Sequence, residues 1–493
     1  MRKVLFILLT CCSAYCCQQA MATTSQTVIN IGDTTTRTLN EIIGLGLPVL
    51  CVETVDHEEP TCEYVSAPAG CMGATIRNAT KVPGRLLVYR RINGLDSVIY
   101  DSGDYEKDVS GMTIKLRGNT SAYEPKKPYK IKLQKKFDLL FGGNDSIYKD
   151  KEWLLLKDDY MTTIAGFKVS ELVGMVWTPR HHFVNVVING AYRGPYLLCE
   201  SVKRNPDCRL NVDKWCGFIF ECDPYWWNED VYVTSDRHPS YNYTFKYPDS
   251  EDITQEQLDY MQTLVKAYEA SLKSTNYPDF IDVRSFAAWC LVHDISGTKD
   301  SGGANRYYTK YDTTPGSKIV MPLVWDFDMA ERTYEAWSKS HTSHMTSLFN
   351  STNKAFVREF VDLWYDIRTT FVGDIKDYMT QFRKSADGKA LDASFTLNKM
   401  LYGAQLTVFS NAYNRSSWYE ERFSWLDNSI MALVAQGDVN LDRRIDVGDV
   451  TAIIDLVLNG AGYSRRAADM DADGIIDVND VTVLIARVLG SAL

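Results

Sequence analysis

Ten oxygen-bearing side chains toward the C-terminal end fall in two copies of one spacing, and that spacing suits a hard cation. In the first copy Asp438, Asn440, Asp442, Asp446 and Asp449 occupy loop positions 1, 3, 5, 9 and 12. In the second, Asp469, Asp471, Asp473, Asp477 and Asp480 repeat those positions after a shift of 31 residues. Ca²⁺ takes roughly six to eight oxygens, and such a loop wraps one ion, with position 7 (Arg444 in one copy, Ile475 in the other) offering its backbone carbonyl. Position 6 must turn sharply. Gly474 suits that turn, whereas Arg443 departs from the pattern and makes the first loop the weaker candidate. Two merely solvated acidic turns would not keep ten ligand-type residues in register.

A second set of candidates lies upstream. The run KIVMPLVW reads as a buried strand that ends in Asp326-Phe327-Asp328. Alternation along a strand would aim both carboxylates the same way, an arrangement that suits a divalent metal. Asp300 and Asn305 sit in KDSGGANRYY, a Gly-rich turn entering another strand. Two basic strand faces could meet phosphate: Lys115 with Arg117, and Lys130 with Lys132. Taken singly, each of these reads more simply as a turn residue or a solvated face. His341 and His344 read as a surface pair, because no Glu follows the first His in the metalloprotease manner. Pro224-Tyr225-Trp226-Trp227 reads as packing rather than a sugar platform, and no GxSxG elbow or Cys-x-x-Cys pair occurs.

Positioning these groups falls to short strands followed by longer helices, which predicts an α+β domain. MTIKLRG, PYKIKL, KEWLLL, FVNVVING and GPYLLCE read as strands; TQEQLDYMQTLVKAYEASL, SFAAWCLVHDI and AFVREFVDLWYDI carry helical periodicity. After each acidic loop, apolar residues recur at i, i+3, i+4 and i+7: Val450, Ile453, Ile454 and Val457, then Val481, Leu484, Ile485 and Val488. Those faces predict a small all-α unit of two loop-helix copies, with no helix evident before either loop.

At 493 residues the chain exceeds what one core serves. The reading is a signal peptide over 1–22, an N-terminal segment over 23–44, a large domain over 45–430 and the duplicated unit over 436–493. A net charge of −10 and a pI near 5.3 exclude a general binder of nucleic acid or anionic membrane, which would need a basic face. Arg2 and Lys3, the apolar run Val4–Leu9 and Ala20-Met21-Ala22 predict export with cleavage before Thr23. A lipoprotein signal using Cys11 or Cys17 is the rival, though the residues before each suit lipid attachment poorly. No later stretch has the roughly 18 apolar residues of a membrane-spanning helix. Eight cysteines remain after the signal, an even number in an exported chain, so disulfides are expected within the groups 51/62/71 and 199/208/216/222.

The ordered series RGNTS (117–121), KKPYKIKL (126–133), WLLLKDD (153–159), NGAYRGPYLLCE (189–200), FKYPD (245–249), KDSGGANRYY (299–308) and VWDFDMA (324–330) resembles the CotH kinase family of atypical, spore-coat-type protein kinases. The resemblance implies a two-lobed, protein-kinase-like fold that uses ATP with Mg²⁺ or Mn²⁺ to phosphorylate protein hydroxyls. It makes Asp300 the catalytic aspartate, with Asp294 as a second possible alignment, and Asn305 the nearby metal or phosphate helper. Asp326 and Asp328 would bind the metal, Lys130 or Lys127 with Arg117 would contact phosphate, and Glu200 would position a lysine. Thr163-Ile164-Ala165-Gly166 departs from the Arg-Asn pair that many members show there.

The C-terminal unit, with Asp at position 12, resembles the type I dockerin family, which folds with Ca²⁺ and plugs into cohesin modules. Val447-Gly448 and Val478-Asn479 stand where that family selects its partner. Together the two resemblances imply a secreted or cell-surface kinase-like protein attached through a cohesin-like module. Two alternatives are a catalytically inactive structural or adhesion component, and a polysaccharide-degrading member of a cellulosome-like assembly.

Overall fold

The computed structural model describes residues 26–33, 35–141, 146–237, 240–298, 305–331, 343–460 and 462–490. The export signal, Asp300 and His341 therefore lie outside the described residues. The strands are β1 (Val28–Ile31), β2 (Thr35–Thr38), β3 (Val49–Thr54), β4 (Glu63–Ser66), β5 (Ala74–Arg77), β6 (Val82–Ile92), β7 (Leu95–Asp101), β8 (Met112–Leu116), β9 (Tyr129–Phe137), β10 (Asp150–Leu156), β11 (His181–Ile188), β12 (Ala191–Glu200), β13 (Phe218–Asp223), β14 (Tyr232–Val233), β15 (Asn242–Tyr247), β16 (Arg306–Lys310) and β17 (Ile319–Val320). The helices are α1 (Leu39–Ile43), α2 (Thr162–Val173), α3 (Gln255–Ser271), α4 (Val283–Ser296), α5 (Ser343–Asn350), α6 (Ala355–Ile367), α7 (Phe371–Lys384), α8 (Ala386–Tyr402), α9 (Val408–Met431), α10 (Val447–Asn459), α11 (Arg465–Ala468) and α12 (Val478–Val488). Strands dominate the first half and helices the second, as expected of an α+β chain.

Seven strands close on themselves in the order β10-β9-β8-β6-β3-β11-β12, because β12 returns to pair with β10 from Trp153↔Glu200 to Leu156↔Leu197. Strand alternation supplies the interior. Val52, Val88, Ile114, Ile131, Trp153, Val186 and Leu198, one from each strand, are all at 0% exposure. A closed ring of this size is filled by its own side chains and leaves no open edge between these strands. Lys115, Lys130 and Lys132 occupy the alternate, outward positions of β8 and β9. β1, β2 and β7 extend the same sheet outside the ring.

The second sheet runs β14-β15-β13-β16-β17 and shares one apolar core with helices α2 to α9. Here the structure corrects the reading of KIVMPLVW. Only Ile319 and Val320 pair, against Lys310 and Thr309, while Met321 to Trp325 are buried without strand pairing. Pro322 has no N–H to give a ladder, and its carbonyl accepts instead from Trp177 N. Asp326 then turns into the left-handed region at φ 65°, so strand alternation does not govern the two carboxylates.

The disulfide expectation also fails, since none of Cys51, Cys62, Cys71, Cys199, Cys208, Cys216 and Cys222 is disulfide-bonded. The buried sheet thiols face other residue types: Cys51 lies opposite Leu87 and Val187, Cys199 opposite Leu154 and His181, and Cys222 opposite Tyr243 and Arg306. Near the C-terminal end, α10 and α12 bury Ile453 and Leu484 in the common core. The short helix α11 precedes the second loop, where none was expected.

Candidate functional site

Three segments that are distant in sequence meet at a cavity of about 600 Å³ beside the mouth of the ring. The loop leaving β8 brings Arg117, β13 and β15 bring Glu221 and Lys246, and the chain on either side of β16 and β17 brings Asn305, Asp326 and Asp328. Gly118 makes the turn at φ 91°, where an added Cβ would lie 2.3 Å from Ser121 Oγ. Asn305 and Asp326 both hold left-handed backbone, at φ 61° and 65°, a conformation that Asn and Asp tolerate better than most residues. Their side chains meet, Asn305 Nδ2 donating to Asp326 Oδ2 over 3.3 Å. Asp328 is exposed to the cavity and Asp326 half-buried.

Lys246 Nζ lies 3.1 Å from a Glu221 carboxylate oxygen. Burial alone would lower the ammonium, but Glu221 and the nearby Tyr307 and Asp223 outweigh it, so the lysine is held charged above its usual range. Burial pushes the Glu229 carboxyl up. Several carboxylates, Asp326 and Asp328 among them, thus share one water-accessible space with the Asn305 amide and the cations Arg117 and Lys246, a chemistry that fits a divalent cation and phosphate oxygens. Lys246 and Glu221 were not singled out in the sequence. Lys246 stands inside FKYPD, but its partner is fixed by sheet register, which the sequence does not display.

Other expected residues lie elsewhere. Lys127 donates to the Ala122 carbonyl at 2.7 Å and the Tyr64 hydroxyl at 3.0 Å, so it anchors a loop outside this cavity. Lys130 lines a different groove and pairs with Glu152 at 2.8 Å. Glu200 is fully buried and serves arginines rather than a lysine, accepting from Arg180 N at 3.0 Å with Arg209 Nε at 3.8 Å. Asp294 is buried in α4, where its carbonyl accepts from Arg422 Nε. His344 is no surface residue: at 0% exposure it stacks on Tyr268 and contacts Glu269 at 3.3 Å. Trp226 packs on Tyr232 with ring centroids 4.8 Å apart, as a packing role requires.

The two C-terminal loops repeat one hydrogen-bond pattern. Asp449 accepts from Asn440 N at 3.1 Å and Asp446 N at 3.0 Å; Asp480 accepts from Asp471 N at 3.4 Å and Asp477 N at 2.9 Å. Position 6 is left-handed in both, Gly474 at φ 85° and Arg443 at φ 72°. Carboxylate oxygens of Asp469, Asp471 and Asp473 lie within 4.8 Å of one another. In each copy the first-position residue, Asp438 or Asp469, keeps a buried Oδ1 without a hydrogen-bond partner. An orphaned buried oxygen at the same loop position twice over fits a cation. Burial pushes the Asp438 carboxyl up, and the neighbouring Asp449 and Asp442 carboxylates add to it.

A family model described as CotH kinase protein matches residues 114–385, more than half of the chain. One described as Dockerin type I domain matches residues 436–489. No curated protein matches the chain. Among the described residues no helix is long and apolar enough to cross a membrane.

Proposed function

Because the chain belongs to the CotH kinase protein family and carries a type I dockerin domain, we propose that the cavity beneath Arg117 takes ATP and transfers its terminal phosphoryl group to a protein hydroxyl. The observation that supports this most is the convergence of Arg117, Asn305, Asp326, Asp328 and the Lys246–Glu221 pair on one cavity.

Asp326 and Asp328 would hold Mg²⁺ or Mn²⁺, which supplies neutralisation of phosphate charge. Asn305 fixes the orientation of Asp326, while Arg117 and Lys246 face the remaining phosphate oxygens. Asp300 keeps the role the resemblance implies, accepting the proton of the acceptor hydroxyl as the new oxygen–phosphorus bond forms and the β–γ bridge breaks. Phosphoryl transfer asks for alignment and charge stabilisation rather than a covalent protein intermediate.

The kinase-like part, 45–430, would be exported and held at a surface or scaffold by the unit at 436–493, with Ca²⁺ in its loops and a cohesin-like module as partner. The exposed side chains Ile454, Val457, Leu458 and Ile485 on α10 and α12 offer such a partner an apolar face. Calorimetry of the full chain with Mg²⁺-ATP tests the reading. Binding is expected, with Asp328→Ala losing about a hundredfold or more of transfer, and Asp300→Ala losing transfer while keeping nucleotide affinity. Failure of the wild-type chain to bind ATP with either metal removes the mechanism, and release of sugar from glycans would favour a hydrolase instead.

A further inference from the structure

The basic strands form a site of their own. Lys115 on β8 and Lys130 on β9 are direct cross-strand partners, with Thr113 and Lys132 the next partners but one along the ladder. Lys81, Lys203 and Arg204 complete a groove of about 510 Å³ on the outside of the ring. Like charges set opposite each other on a sheet weaken it unless something neutralises them. The acids that line the groove, Glu152 and Asp249, are too few to do so. Glu152 holds Lys130 at 2.8 Å with Lys132 at 3.9 Å, Asp150 holds Lys203 at 3.2 Å and Glu221 holds Lys246 at 3.1 Å, which leaves Lys81 and Lys115 without an ion-pair partner among the described residues. Burial lowers the Lys115 ammonium, and repulsion from Lys130 and Lys81 lowers it further. In a chain whose net charge is −10, such a concentration of lysine is a local feature and not one of composition.

The spacing says what would fit. Lysines two residues apart on one strand stand about 7 Å from each other, the distance between alternate side chains of an extended peptide. A metal-bound nucleotide would need free carboxylates for its ion, and Glu152 is already held by lysines. Lys246 lines both this groove and the cavity that holds Asp326 and Asp328, so the two spaces adjoin. We propose that the groove binds an acidic segment of polypeptide and so selects phosphoacceptors that carry one beside the reacting hydroxyl. The selection rests on the kinase reading; the binding does not.

The experiment is fluorescence anisotropy of the full chain with a labelled peptide of alternating Glu and Ser, against the same peptide with Lys for Glu. The acidic peptide is expected to bind, more weakly as salt rises, and K81E/K132E to weaken it at least about tenfold by reversing charges at an ionic contact. Calorimetric affinity for Mg²⁺-ATP is expected to stay unchanged in that variant. Asp328→Ala should do the reverse, removing metal-dependent nucleotide binding and sparing the peptide. No acidic-peptide binding, or binding indifferent to K81E/K132E, overturns the proposal. So does loss of Mg²⁺-ATP affinity in K81E/K132E together with displacement of the peptide by inorganic triphosphate, which assigns the groove to nucleotide. Preference for polygalacturonate over the peptide overturns it in favour of an anionic glycan.

Discussion

Phe327 stands between the two carboxylates of the cavity, and Gly166 is what makes room for it. A Cβ on Gly166 would lie 2.1 Å from Phe327 Cδ1, and the ring, at 1% exposure, also meets Phe167 edge-on with centroids 5.8 Å apart. Gly166→Ala must expel that ring and move Asp326 and Asp328 with it. Overpacking of this kind costs about 1–3 kcal/mol, and we expect Mg²⁺-ATP affinity to fall with the melting temperature; full metal-nucleotide affinity in a correctly folded variant would contradict the role. The tetrapeptide that departs from the family pattern is thus structurally occupied, since Asp158 also caps α2 through Thr163 N at 2.9 Å and Ile164 N at 3.2 Å. Residue by residue, the two acidic loops were legible because the spacing that repeats in them is local to one loop. The Lys246–Glu221 pair was not, because it joins β15 to β13 across a register shift between Ile219 and Phe220.

At the scale of elements, apolar runs announced burial more faithfully than pairing. β8 and β9 were readable because alternation survives in them, with β8 burying Met112, Ile114 and Leu116 between half-buried neighbours, and β10 to β12 because they are apolar runs buried along most of their length. Closure of the ring was not readable, since nothing in β10 or β12 marks them as partners. Helix α5 shows the opposite error, a histidine taken for surface that the core has absorbed. Burial pushes His344 down to about 3 from an ordinary 6.5, with the Glu269 hydrogen bond opposing and Arg306 adding. The unfolded chain takes up that proton below pH 6.5 and the folded chain refuses it, so this stability is present above pH 6.5 and is lost as pH falls. The loss is up to about 1.4 kcal/mol per pH unit. Glu269 acts in the same direction lower down: burial opposes, yet bonds from His344 and Ser235 bring it to about 2 from 4.5. Asp158, pushed up to about 6 by burial against its N–H donors, works the other way, and its stability is lost as pH rises from 3.8 through 6. Comparing urea midpoints of wild type and His344→Gln across mildly acidic pH cancels Asp158. The variant should be weaker at neutral pH and decline less on acidification; parallel declines would show that His344 is not the titrating group.

Across the whole molecule, the C-terminal unit is seated on α6 and not strung from it. Asp362 accepts from Arg465 N at 3.1 Å and Arg466 N at 3.2 Å, Arg465 reaches Asp366 at 2.6 Å, and Arg358 donates to the Gly462 carbonyl. The contact depends on side chains more than 90 residues apart and left no trace in the sequence. Its most consequential member is Tyr365, whose hydroxyl donates to Asp469 Oδ2 at the first position of the second loop. With Oδ2 so held, the orphaned Oδ1 is the oxygen left for a cation. A hydrogen bond to a charged group contributes about 1.5–3 kcal/mol, and part of that is spent fixing the carboxylate before an ion arrives. Tyr365→Phe should therefore weaken calcium binding at one loop of the full chain by roughly three- to tenfold, a fraction of that energy, and leave the other loop unchanged. Asp362→Ala, which unseats the unit without touching a ligand, should give the same selective loss and hasten proteolytic cleavage between α9 and α10. Calcium calorimetry on the three full-length proteins decides it: an affinity at each loop that is the same in all three would mean that the larger domain merely carries its docking unit and takes no part in loading it.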